Sequence, residues 1–118
     1  MSIQRFHVGR RLSEIAIFNQ TIYLAGQIPE NTDADIIGQT KEVLGHVDRL
    51  LAEAGSDKSR ILMCQIFLSD INHISGMNQA WDDWVAQGNS PPRATVQAAL
   101  ANPDWLIEIV VTAAQNLA

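Results

Sequence analysis

The sequence predicts one α+β domain, residues 1–118, in which two amphipathic helices cover one face of a six-stranded sheet. Three observations predict it. The apolar residues change period along the chain, giving the order strands, helix, strand, helix, two strands. A length of 118 residues holds one sound core and not two. A composition of 47% hydrophobic and 18% charged residues is that of a folded globular chain.

Taken in order, Ile3 to Val8 alternates loosely and reads as a first strand. Glu14 to Phe18 reads as a second and Thr21 to Ala25 as a third, with Asn19-Gln20 between them as a hairpin turn. Gly26-Gln27-Ile28-Pro29 breaks the pattern. Ile36, Thr40, Val43, Leu44, Val47, Leu50, Leu51 and Ala54 then recur at three- and four-residue steps, one stripe of a helix. Thr32 or Asp33 is placed to cap its start, and Gly55 suits the left-handed position past its end. Ile61 to Leu68 is short and apolar and reads as a strand buried on both faces. Asp70 is placed to cap a second helix with Ile74, Met77, Trp81 and Val85 inward and Gly88 at its end. Arg93 to Ala98 and Trp105 to Ala114 read as the last two strands, separated by the turn Asn102-Pro103-Asp104. In the last strand Ile107, Ile109 and Val111 lie on one side, with Leu106 and Val110 on the other. If both helices cover one face, the second apolar face needs its own cover, and a symmetric partner subunit is the simplest.

Several function classes lack their residues. A net charge of −5 with scattered basic residues gives no phosphate-tracking face, so no nucleic-acid partner is expected. The three histidines, His7, His46 and His73, have no metal-ligand spacing, and the single cysteine, Cys64, sits in an apolar run as a buried small hydrophobe. Neither a dinucleotide fingerprint nor a phosphate loop occurs. Lys41 and Lys58 read as exposed, against a Schiff-base role. No metal and no cofactor are expected. The N-terminal residues lack an apolar signal core, and no run reaches membrane-spanning length, so a cytoplasmic location and no membrane partner are the expectation.

Four polar residues stand where the pattern wants apolar ones. Glu108 interrupts Leu106 to Val110, and a carboxylate there must be paired, protonated or reach water. Arg93 follows Pro91-Pro92, and alternation puts it on one face with Thr95 and Gln97. Its guanidinium keeps its charge and matches a carboxylate in fork geometry, so it either grips an acidic ligand or is salt-bridged to Glu108 or a surface acid. Asn78 lies in the inner stripe of the second helix, one turn before Trp81. Thr95 is the least unusual of the four.

The segments Tyr23-Leu24-Ala25-Gly26-Gln27-Ile28-Pro29, Met77-Asn78-Gln79-Ala80-Trp81, Pro92-Arg93-Ala94-Thr95-Val96-Gln97 and Ile107-Glu108-Ile109 together resemble the Rid (YjgF) family, whose best-known members are 2-imino acid deaminases. The resemblance covers nearly the whole chain and is nearest to the short RidB-like (YoaB-type) members. It implies a chorismate-mutase-like fold with a mixed six-stranded sheet, assembled as a homotrimeric barrel with ligand clefts between subunits. It maps the family arginine onto Arg93, the acid onto Glu108, the cleft asparagine onto Asn78 and the strand-end glycine onto Gly26. Thr95 takes the position two after the arginine. The aligned stretch Arg11-Leu12-Ser13 holds no cleft tyrosine, and Ala25 stands where relatives carry Ser or Thr, so the pocket loses hydroxyls.

The implied activity is cofactor-free hydrolysis of 2-imino or enamino acids to 2-keto acids and ammonia. Arg93 would hold the substrate carboxylate, Glu108 would activate water, and Thr95 would help hold it. Asn78, Gly26 and Ala25 would line the substrate. The alternative is a non-catalytic module that binds or senses 2-keto acids in the same cleft. RNA cleavage, attached to some relatives, lacks a histidine pair and a basic groove.

Overall fold

The structure, a computed structural model, describes residues 2–116. The strands are β1 (Gln4–Val8), β2 (Ser13–Phe18), β3 (Thr21–Leu24), β4 (Ile61–Leu68), β5 (Arg93–Gln97) and β6 (Ile107–Ala114). The helices are α1 (Ile36–Glu53) and α2 (Ile74–Trp84). All strands join one mixed sheet in the order β1-β2-β3-β6-β4-β5. Only β4 and β5 run parallel, and β5 is an edge. In the two-residue turn between β2 and β3, Asn19 (φ 54°) and Gln20 (φ 65°) are both left-handed. That turn matches the twist of the strands it joins.

The expected α1 stripe is buried: Thr40, Val43, Leu44, Val47, Leu50 and Leu51 all face the sheet. They meet Ile15, Ile17, Ile22, Ile66, Leu68, Ile107, Ile109 and Val111 in a continuous core. Gly55 takes φ 80° beyond the helix, the conformation expected of it. The caps differ from expectation. Asp35, not Thr32 or Asp33, caps α1, its Oδ1 accepting from Gly38 N at 2.9 Å. Asp33 is instead held in a local turn, where its N–H donates to Asn31 Oδ1 at 3.1 Å. Asp70 caps a single 3₁₀ turn, Ile71–His73, that leads into α2. That helix ends at Trp84 because Val85 is already extended, and Gly88 (φ 81°) turns the loop that follows.

The register divides the sheet into two unlike faces. On the helix side, cross-strand rows run Val111–Cys64–Arg93, Ile109–Ile66–Thr95 and Ile107–Leu68–Gln97. On the other side they run Tyr23–Thr112–Met63, Val110–Gln65–Ala94 and Glu108–Phe67–Val96. The expectation that β4 is buried on both faces fails for the single chain. Met63 is 38% exposed, and its face-mates Tyr23 and Val96 are 51% and 47% exposed. Both helices pack on the opposite side, so nothing among the described residues covers that face. No helix among the described residues is long and apolar enough to cross a membrane.

Candidate functional site

Arg93 opens β5 at the sheet edge. The two prolines before it stiffen the approach, and Cys64 N–H donates to Pro92 O at 3.0 Å, docking that approach onto β4. The side chain turns to the helix side and is half-buried. Its Cζ lies 5.0 Å from the centre of the Trp81 ring, a cation–π distance. Its Nη1 lies 4.0 Å from Met77 Sδ. Trp81 in turn meets Trp84, ring centres 5.3 Å apart, and Lys58 Nζ stands 5.2 Å from the Trp84 ring. Lys58 is therefore less free than its sequence context suggests, and it also donates to Trp84 O. Among the described residues, no carboxylate or carbonyl oxygen accepts from Arg93. A permanently charged fork rests on an apolar platform, with no oxygen acceptor for its donors among the described residues.

Thr95 and Gln97 share that face, as alternation requires. Gln97 is spent on structure, its Oε1 accepting from Ile71 N at 2.9 Å. The Thr95 hydroxyl is buried and has no partner among the described residues. Asn78 is half-buried on the stripe of Ile74 and Trp81. Cys64 lies beside Arg93 in the ladder. Burial pushes its thiol up to about 12, and the nearby Arg93 charge pulls it down by less, so the thiol stays protonated and inert.

Glu108 is elsewhere. It projects from the uncovered face, in the row of Phe67 and Val96. The strand register therefore puts Arg93 and Glu108 on opposite faces of one sheet, with β4 between their strands. The alternative of an Arg93–Glu108 salt bridge is not realised within the chain. Glu108 lies instead against Gly26: a Cβ at position 26 would sit 2.8 Å from its carboxylate carbon. Gly26 is needed for close approach, and not for a left-handed backbone.

The sequence reading missed Gln27, which fixes that approach. Its backbone exchanges two hydrogen bonds with Ile109, at 2.8 and 3.0 Å. Its buried amide donates to Glu14 Oε2 at 2.8 Å and to Ala25 O at 3.0 Å. The one signal was a glutamine directly after a strand-end glycine. The two groups of expected site residues are thus assembled separately. Arg93, Thr95 and Asn78 belong to the helix side, while Gly26 and Glu108 belong to the open side next to Ala25.

The family model described as Endoribonuclease L-PSP matches residues 2–115. A RutC family protein of Haemophilus influenzae is 53% identical over 114 residues, covering 96% of this chain and 98% of that protein. The RutC family protein YoaB of Escherichia coli is 46% identical, covering 97% and 99%. The crystal structure of NMB1025, a YjgF family member from Neisseria meningitidis, is 44% identical and superposes with a TM-score of 0.97 over 100% of this chain and 98% of that one.

Proposed function

The chain belongs to the Endoribonuclease L-PSP family, also known as the YjgF or Rid family, and from that premise we propose that it hydrolyses 2-imino or enamino acids to 2-keto acids and ammonia. The observation that carries the reading is the Arg93 guanidinium, half-buried on Trp81 with no oxygen acceptor among the described residues. Such a group is poised for a ligand carboxylate, which it can take by two charge-assisted bonds.

The reading requires a second copy of the chain. Glu108 cannot reach Arg93 through its own sheet, so it must serve the arginine of a neighbour. The uncovered face supplies the reason to associate. At about 25 cal/mol per Å², hiding a few hundred Å² of Tyr23, Met63, Phe67, Val96 and Val110 is worth several kcal/mol. A homotrimer, the assembly of the family, then brings Glu108 of the partner subunit to the edge strand that begins at Arg93.

In the cleft so formed, Arg93 fixes the carboxylate and so the position of the imine carbon. The carboxylate of the partner's Glu108 takes a proton from water as the water oxygen bonds to that carbon. The carbon–nitrogen double bond becomes single, giving a carbinolamine. The partner's Glu108 then gives that proton to the nitrogen, which leaves as ammonia while the hydroxyl oxygen forms the carbonyl and its proton passes through the partner's Glu108 carboxylate to the departing ammonia. Thr95 offers its hydroxyl beside the arginine, and Asn78 borders the same stretch of helix. The iminium carbon is already electrophilic, so placing water and shielding the site carry most of the catalysis.

The assay couples an amino-acid oxidase to semicarbazide trapping of the fresh imine. Wild-type protein shortens the imine lifetime. Arg93→Ala loses about two orders of magnitude or more in kcat/KM, because it removes both anchor and charge. An Arg93→Ala protein as active as wild type would refute the assignment. Ala25 and the tyrosine-free Arg11-Leu12-Ser13 stretch favour a second reading, in which the cleft binds 2-keto acids without turning them over. In that case the imine lifetime is unchanged while keto acids raise Tm.

A further inference from the structure

We propose that Gln39 is a positioning residue that, with the Gln27–Ile109 pair, sets the two segments flanking Gly26 and Glu108. The side chain is wholly buried in the first turn of α1, at a position where the helix stripe calls for an apolar residue. Its Oε1 accepts from Leu106 N at 2.8 Å. Its Nε2 faces three carbonyls, Ala34 O and Asp104 O at 3.2 Å and Thr32 O at 3.5 Å. Those partners fix which end is amide nitrogen, since a reversed amide would put its oxygen against three acceptors.

The partners belong to two different loops. Thr32 and Ala34 lie on the segment that leaves β3 through Gly26. Asp104 and Leu106 lie on the segment that enters β6 two residues before Glu108. At their near ends these segments are joined by the Gln27–Ile109 backbone pair. At their far ends they are joined by one side chain, Gln39. One turn along α1, Glu42 reinforces the first segment by accepting from Glu30 N at 2.6 Å and Asn31 N at 3.0 Å. Burial raises the pKa of Glu42, but these two donors and His46 outweigh it and hold the carboxyl below its usual range. The loops around the acid are therefore set from within α1, by side chains spent on backbone groups of those loops.

This inference rests on the reading of Gly26 and Glu108 as part of the cleft. Its primary readout, residue-level amide hydrogen exchange, does not depend on catalysis. Gln39→Met keeps the volume and removes every bond. In the assembled protein, the amides of Leu106, Gln27 and Ile109 should then exchange about tenfold faster or more, while Leu44 and Ile66 stay protected. Gln39→Glu keeps the acceptor for Leu106 and loses the donors, so Leu106 should stay slow while Gln27 quickens. If the wild type hydrolyses imines, both variants lower kcat with KM little changed, because Arg93 is untouched. Faster exchange at Leu106 alone, or a uniform loss of protection, would overturn the positioning role. So would failure of both variants to fold, which would make Gln39 a purely structural residue. A wild type without hydrolysis but with the predicted exchange pattern would remove the activity and leave the clamp.

Discussion

The two faces of the sheet carry similar sequences and opposite fates. Under the helices, Ile66, Leu68, Ile107 and Ile109 are completely buried. On the other side, Met63, Tyr23 and Val96 remain exposed, and Glu108 sits among them against Gly26. One face is covered by the chain's own helices and the other is not. The polar residues serve different faces: Arg93 borders the covered core, and Glu108 borders the open surface. Under the proposed function, a site that needs both is built by association.

One substitution on each face separates the two most forcefully. Ile66→Ala should cost about 2–5 kcal/mol of unfolding free energy, read by denaturant titration, since it opens a cavity in a closed core. Val110→Glu should leave the monomer folded but shift the sedimentation mass from assembled to single chain, because an unpaired charge would be buried at the contact. If the Val110→Glu protein keeps the assembled mass, the uncovered face is not an interface.

Gly26→Ala sharpens the comparison further. The backbone there tolerates alanine, so Tm should hardly move. The new methyl must push aside the flexible Glu108 carboxylate, and turnover should fall about tenfold or more at nearly constant KM. The smallest effect is expected at Thr95. Replacing its buried, unpartnered hydroxyl by Thr95→Val should leave the protein as stable or stabilise it by about 1 kcal/mol, while activity drops if the hydroxyl serves the ligand.

Much of the fold was legible because periodicity carries it. The order of elements and the strands to within about two residues followed from alternation and stripes, whereas the helix ends did not, and Arg93, Thr95 and Gln97 share a face as counting by two demands. What was not legible depends on contacts between elements. Whether Arg93 and Glu108 share a face turns on the registers of β5 and β6 against β4, whose pairing slips between Ile61 and Met63. Nothing local in either segment encodes that parity. The cap at Asp35 was missed because Thr32, Asp33 and Asp35 offer the same chemistry, and only the chain path selects among them. Gln39 broke the α1 stripe and passed unremarked, since its four partners lie on loops whose course the sequence does not show.

Under the proposed function, one active cleft takes Arg93 from one chain and Glu108 from another. Subunit mixing tests it most directly. Arg93→Ala and Glu108→Gln proteins, each inactive alone, are mixed in equal amounts under conditions that exchange subunits. Random trimers then contain intact clefts at about one quarter of the wild-type number, and imine hydrolysis should return to about that level. Mixed trimers, verified by mass, that stay as inactive as their parents would contradict the claim.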